Sequence, residues 1–408
     1  NGGVDEQGYD YDNFNGWTIK INGSMNFGGM VWTPIGYYSS LSDNEAFKGI
    51  LIGNGDIRLE NVMSTSVYAI DDTNTITGVE ALTNDSLGLV GYAVNATIQN
   101  LTVESGIIYG GENIGTIVGY AVDTSIINCA NGNPEHPEED KTFVGGYSNV
   151  GGIVGYYRNN KTEPLNISTN TNRVAVQYSA NYKEDTDKPE NFGGIAGLVY
   201  GNVIIKDDYN IKTVRGNINV GGLVGKIING VTVDCSGNLN SNNTGNVSGY
   251  DNVGGIVGYV ADNKSIITSV TNSGKIIGYN SAYVGGIAGT TNGNITLAVN
   301  NGSVSADNSA GIVAKIENTD VYINNVLNTA AATNGIAYSL PNGFDASMFG
   351  LCVTTSGNPL GAINLAKPYT AVFNSVNSYT STAFSYGDDS NKINVTYKNI
   401  LIGVMVAI

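Results

Sequence analysis

Charge is scarce in this chain of 408 residues: only 13% are Asp, Glu, Lys or Arg, and acids outnumber bases 35 to 19. The formal net charge of -16 at pH 7 works against nucleic acid and anionic membrane surfaces, because binding phosphate requires Lys and Arg to displace counterions. Cysteine is nearly absent. Three residues, Cys129, Cys235 and Cys352, are too few and too scattered for a disulfide framework or a zinc site. The single histidine, His136, excludes a zinc peptidase of the H-E-x-x-H type, which needs two. No Ser-His-Asp, Cys-His or P-loop arrangement is legible either. No apolar run approaches the ~20 residues that span a bilayer, so no membrane-spanning segment is expected. The run from Ile400 to Ile408 suffices for one strand. No leader is legible at Asn1, so an exported form would have had its signal removed. Also missing is the i, i+3, i+4 spacing of apolar residues that marks amphipathic helices.

What is present is glycine (55 residues), with abundant Asn, Ser and Thr and an ordinary 41% of hydrophobic residues. Such a mixture favours many short strands joined by tight turns. A phrase recurs: LGLVGY at 87, IGTIVGY at 114, VGGIVGY at 150, FGGIAGL at 192, VGGLVGK at 220, VGGIVGY at 253 and VGGIAGT at 284, with decayed copies at 309 and 333. Its last glycines, Gly91, Gly119, Gly155, Gly197, Gly225, Gly258 and Gly289, are spaced by 28, 36, 42, 28, 33 and 31 residues. Between these anchors lie a second β-like phrase (TIQNLTV, SIINCA, NVIIKD, VTVDCS, SIITSV, NITLAV) and usually a third (GIIYGG, TFVGGY, RVAVQY, GKIIGY). Three short strands per repeat, with no helix between them, predict an all-β fold: a parallel β-helix, right-handed by the crossover rule, one coil per repeat. The glycines are expected at coil corners, to supply positive φ or close backbone approach. Leu89, Ile117, Ile153, Ile195, Leu223, Ile256, Ile287 and Ile312 are expected to stack as an interior column.

Ten residues beyond the anchor fall Leu101, Cys129, Asp207, Cys235 and Val299. The shared slot reads Cys129 and Cys235 as small buried hydrophobes. They lie three coils apart, roughly 14 Å at ~4.8 Å per coil, beyond disulfide reach. Asp207, followed by Asp208, breaks the apolar pattern. Either the strand bends outward there, or a carboxylate enters the interior with a raised pKa.

Three domains are expected: 1–86 as starting and capping coils, 87–340 as the repeats, and 341–408 as a β-rich C-terminal cap or small appendage, with strand-like stretches at 370–373, 393–397 and 400–406. Three features carry a family resemblance. These are a WxPIG phrase (Trp32, Pro34, Ile35, Gly36), an F-x-G-x-x-x-G-N-G phrase (Phe47 to Gly55), and the repeated GGIVGY units. Together, over roughly residues 17–340, the chain resembles bacterial surface proteins carrying the GLUG motif, a repeat also found beside IgA-specific metallopeptidases. The resemblance implies export, a β-helical stalk and attachment at the bacterial cell surface, and it carries over no catalytic residue.

Two insertions, 133–141 (NPEHPEEDK) and 181–191 (NYKEDTDKPEN), map to surface loops, which in solenoids often flank a binding face. Glu135, His136 and Glu138 are therefore candidate binding residues, while a Pro-flanked acidic run reads more simply as a solvated loop than as a metal site. Tyr92, Tyr120, Tyr156 and Tyr259 directly follow anchor glycines and, facing outward, form either a platform for sugar rings or protein partners or a simple structural stack. No cofactor, metal or calcium turn is expected, since the Gly-Gly-x-Gly-x-Asp pattern does not occur. Two functions remain. One is a non-catalytic, monomeric, extracellular solenoid that adheres to a host or matrix glycan or protein. The alternative is a polysaccharide hydrolase or lyase drawing on Asp71, Asp72, Asp207, Asp208 or Asp234.

Overall fold

A computed structural model of the chain describes residues 86–135, 143–178, 189–237, 241–280, 282–350 and 352–354, together with Phe47, the strands 18–21, 25–26, 50–53, 58–60 and 62–65, and four strands between 371 and 406. Corner residues set the path of the chain. Asn100, Asn128, Thr169, Asp207, Ser269, Leu297 and Asn325 occupy equivalent corners, each with φ between 51 and 58°. Asn and Asp tolerate this left-handed region through their short polar side chains. Thr169 and Leu297 do not, so the neighbouring coils impose the conformation on them.

Between corners the chain runs in short strands. In the coil that begins at Glu112 these are Glu112–Gly115, Val118–Val122, Ser125–Ile127, Ala130–Asn131 and Phe143–Gly146. Each pairs in parallel with its counterparts in neighbouring coils. Five lanes of 7, 9, 11, 6 and 8 strands, called lanes one to five in that order, run along the stack. The molecule is thus a parallel β-helix. The coil carries five strands where the sequence reading expected three, because two phrases kink. The glycine phrase breaks between Gly115 and Val118, and the second phrase breaks at the Asn128 corner. In later coils lanes three and four merge into seven-residue strands, Ile266–Asn272 and Asn294–Asn300.

Lane three begins with Thr18–Ile21 and Ile50–Gly53 and ends with Cys352–Thr354, so the parallel stack takes in strands before residue 87 and passes residue 340. Beyond it, Ala371–Ser375, Thr382–Tyr386, Ile393–Lys398 and Leu401–Val406 form an antiparallel sheet. Of these four strands, only 382–386 was not anticipated from the sequence.

The interior is filled as the repeat requires. All eight residues of the expected aliphatic column are fully buried, each contributing on the order of 1.5–3 kcal/mol by leaving water. Next to that column runs a second one that the sequence reading did not anticipate. Asn131, Asn172, Asn210, Asn243, Asn272, Asn300 and Asn328 are completely buried. Each of the first six donates its side-chain amide to the next at 2.7 to 2.8 Å, and Asn328 donates to Thr354 Oγ1. Most also donate to a backbone carbonyl two residues on, as Asn272 does to Gly274 at 3.1 Å. An amide has two donors and one acceptor oxygen, and a ladder of this kind satisfies them without water.

This ladder explains the paired glycines. A Cβ on Gly255 would stand 2.5 Å from Asn272 Cγ and would also overlap the Gly286 carbonyl oxygen. A Cβ on the anchor Gly258 would stand 2.5 Å from the Asn219 backbone of an earlier coil. Close approach is therefore the task of the repeat glycines. Positive φ, the other role expected of them, falls instead to Asn113, Asn149, Asn191, Asn219 and Asn252 in lane one, whose amides form a second ladder at 2.8 to 3.0 Å.

Candidate functional site

Lane two departs from strict alternation at Gly119, so that Val118 and Ala121 are both buried while Tyr120 between them faces outward. In register across three coils, Tyr92, Tyr120 and Tyr156 form one continuous stack, with ring centroids 5.1 and 4.8 Å apart and planes inclined by 22 and 10°. Tyr92 is buried, together with Val94 and Val122, while Tyr120 and Tyr156 are half-exposed. Burial raises the pKa of the Tyr156 phenol, so it stays neutral in ordinary buffers. Rings stacked in this way cover one another's faces, and what they offer to solvent is edges and hydroxyls.

Tyr259 stands apart from that stack, with Leu198 and Lys226 occupying the two coils between. Its surroundings are polar: its hydroxyl donates to Glu317 Oε2 at 3.0 Å, and Lys226 Nζ lies 5.7 Å from its ring centroid. Burial and then the Glu317 charge push its phenol up to about 12. Lys315 closes the cluster with a 2.7 Å ion pair to Glu317. Thus the four tyrosines divide into one stack of three and one isolated polar cluster.

Inside the solenoid, the residue that follows each lane-three corner points to the core. Leu101, Cys129, Asn170, Asp208, Val270, Ala298 and Val326 are all at most 2% exposed. The count of ten residues located Leu101 and Cys129 correctly, and Cys235 is buried as well. It overshot in the coil of Val299, which is half-buried while Ala298 takes the slot. At the Asp-Asp pair both anticipated events occur, on different residues. Asp207 takes the left-handed corner and turns outward, accepting the Gly237 N–H at 2.8 Å. Asp208 enters the core. Its Oδ1 accepts the Asn170 N–H at 2.6 Å and the Asn170 side-chain amide at 3.1 Å, and its Oδ2 has no partner.

Burial holds the Asp208 carboxyl well above the usual carboxylate range, outweighing the bonds from Asn170. Burial likewise pushes the Cys129 thiol up to about 12 and raises Cys235, so neither is a thiolate near neutrality. Both cysteines are free. Asn170 and Asp208 occupy the two coils between them. Asp208 therefore lowers stability as pH rises. Below about pH 4 both folded and unfolded states carry the proton and stability is full. Above that the unfolded chain ionises first, at a loss of about 1.4 kcal/mol per pH unit until the folded carboxyl also ionises. Asp208→Asn keeps the Oδ1 acceptor and cannot ionise. It is expected to raise the thermal midpoint at neutral pH and to flatten its decline between pH 4 and 7; a midpoint below wild type at pH 7 would contradict the assignment.

The remaining candidates are spread out. Glu135 is exposed at the start of the first insertion, its N–H bonded to Asn133. His136 and Glu138 lie outside the described residues, as do Asp71 and Asp72 and most of the second insertion. Asp234 accepts the Ser236 N–H at 3.0 Å within its own turn, whereas the bond to Asp207 from Gly237 runs between coils. Among the described residues, no three His, Cys, Asp or Glu side chains converge to hold a metal ion.

A surface feature outside the sequence candidates lies where lane five turns into lane one. Tyr250 and Tyr279 are exposed on consecutive coils, with centroids 5.1 Å apart and planes inclined by 41°. Tyr178 lies close enough to Tyr250 for the two phenols to interact and meets buried Phe192 edge-on at 6.3 Å. The signal was available in GKIIGY, the third phrase, whose Tyr279 follows Gly278 just as Tyr259 follows Gly258. No protein-family model, no curated protein and no solved structure matches this chain.

Proposed function

We propose that this chain is a non-catalytic, extracellular solenoid of the bacterial cell surface that binds host or matrix glycans or proteins on its flanks, as its resemblance to GLUG-motif proteins implies. The observation that carries the reading is the division of labour across the wall. Asparagine ladders and aliphatic columns satisfy the interior, while tyrosines face outward on successive coils, from Tyr120 and Tyr156 to Tyr250 and Tyr279. The hydrolase alternative needs two carboxyl groups facing a sugar across about 5–9.5 Å. Of its acids, Asp207 is engaged by the Gly237 N–H of the next coil, Asp234 holds a turn and Asp208 is sealed in the core.

The test is to present immobilised matrix proteins, neutral polysaccharides and acidic polysaccharides to the intact chain, and to assay the polysaccharides for new reducing ends. Saturable binding without depolymerisation is expected. Shortening of any polysaccharide would overturn the non-catalytic reading. The same array probed with a chain lacking 133–141 asks whether the first insertion takes part, and binding unchanged by the deletion would assign the contact to the coils.

A further inference from the structure

We infer that Tyr250 and Tyr279 form an open stacking site for the sugar rings of a neutral glycan. This rests on the surface-binding role proposed above and names its ligand class and its location. A pyranose presents an apolar C–H face and a rim of hydroxyls, so it is recognised by an uncovered aromatic face with hydrogen-bonding groups beside it. The Tyr92–Tyr120–Tyr156 stack lacks the first requirement, because its nearly parallel rings cover each other. Tyr250 and Tyr279 meet it. They are 41% and 44% exposed, and their 41° inclination leaves ring surface open to solvent.

The site is built rather than incidental. Tyr178 meets buried Phe192 at its ring edge and lies within interaction range of Tyr250, so aromatic groups run from the outer pair to the core. In the neighbouring register column, one residue before Tyr178 and Gly216, stand Gln177 and Arg215, both exposed. An amide and a guanidinium are planar donors suited to the hydroxyl rim of a sugar. Charge selects among glycans. A chain of net charge -16 repels uronates and sulfated polymers, leaving a neutral glycan as the occupant.

The experiment measures binding of the full chain to laminarin and dextran, both neutral, and to polygalacturonate, which is anionic, by calorimetry and affinity electrophoresis. Wild type is expected to bind a neutral polymer in preference to polygalacturonate. Tyr250→Ala/Tyr279→Ala is expected to bind roughly tenfold or more weakly, the loss of two stacking contacts, with thermal midpoint and circular dichroism unchanged. Tyr250→Phe/Tyr279→Phe should retain most of the affinity, and Tyr322→Ala, at an exposed tyrosine outside the pair, all of it. Undiminished neutral-glycan binding by the Ala pair, or preference for polygalacturonate, would overturn the site while leaving a binding solenoid intact. Capture of matrix protein alone, lost in the Ala pair, would overturn the glycan assignment. Failure to bind any glycan or matrix protein would remove the surface role, and the site with it.

Discussion

Asn272→Leu is expected to lower the free energy of unfolding by about 3–5 kcal/mol, far more than a substitution of similar volume costs at the surface. Asn272 is fully buried and sits in the middle of the interior ladder. It accepts from Asn243 at 2.7 Å and from the Gly274 N–H at 3.1 Å, and donates to Asn300 at 2.8 Å and to the Gly274 carbonyl at 3.1 Å. Leucine fills the space but leaves these partners in a water-free interior, where each unsatisfied polar group costs about 1–3 kcal/mol. Denaturant unfolding gives the magnitude. Hydrogen exchange gives the place, because coils contact only their neighbours and lost protection should centre on residues 243–300. The exposed Asn246→Ala should move stability by no more than about 0.5 kcal/mol. Equal effects at the two positions would mean that the ladder adds nothing.

Gly255→Val attacks the same contact from the opposite wall and is expected to prevent accumulation of folded protein. Its first side-chain carbon would overlap the Gly286 carbonyl oxygen and press on Asn272 Cγ. Neither can retreat, since one belongs to backbone whose N–H is bonded to the Ala310 carbonyl and the other is held in the ladder. Overpacking of a flexible core costs about 1–3 kcal/mol, and a wall made of backbone relaxes less. Gly255→Ala, which adds that one carbon, should fold with a lowered midpoint and so report the effect in soluble protein. At Gly343 an added Cβ meets nothing within 4 Å, so Gly343→Asn, able to adopt its φ of 78°, should be silent. Wild-type midpoints for both Gly255 variants would refute the close-approach account of the paired glycines.

The aliphatic column could be read from the sequence because every copy of the phrase repeats it at a fixed distance from the anchor glycine. The asparagine ladder could not be read that way, since its distance from the anchor varies with the corner between them. It is instead in constant spacing with lane five: Asn172, Asn210, Asn243, Asn272 and Asn300 each stand four residues before Val176, Val214, Val247, Ile276 and Val304. Composition pointed the other way, because asparagine is commonly a turn residue, and the lane-one asparagines do take that role. At Asp207 and Asp208 the sequence exposed the anomaly but not its resolution. A corner shifts which of two adjacent side chains faces inward, and only the neighbouring coils determine where the corner falls. The tyrosines show the same limit. Position after glycine marks an outward ring, whereas whether its face is open depends on the coil above and below.

One consequence of the lane arrangement is mechanical. Lane three runs without interruption from Thr18–Ile21 to Cys352–Thr354, so its first and last strands lie at opposite limits of the stack. Tension applied between them loads every inter-coil boundary in series, and the weakest boundary yields first. Each detached coil then releases its slack and relieves the coils behind it. Under tension, such a rod gives way in successive increments and re-forms the same way, by winding back onto what remains.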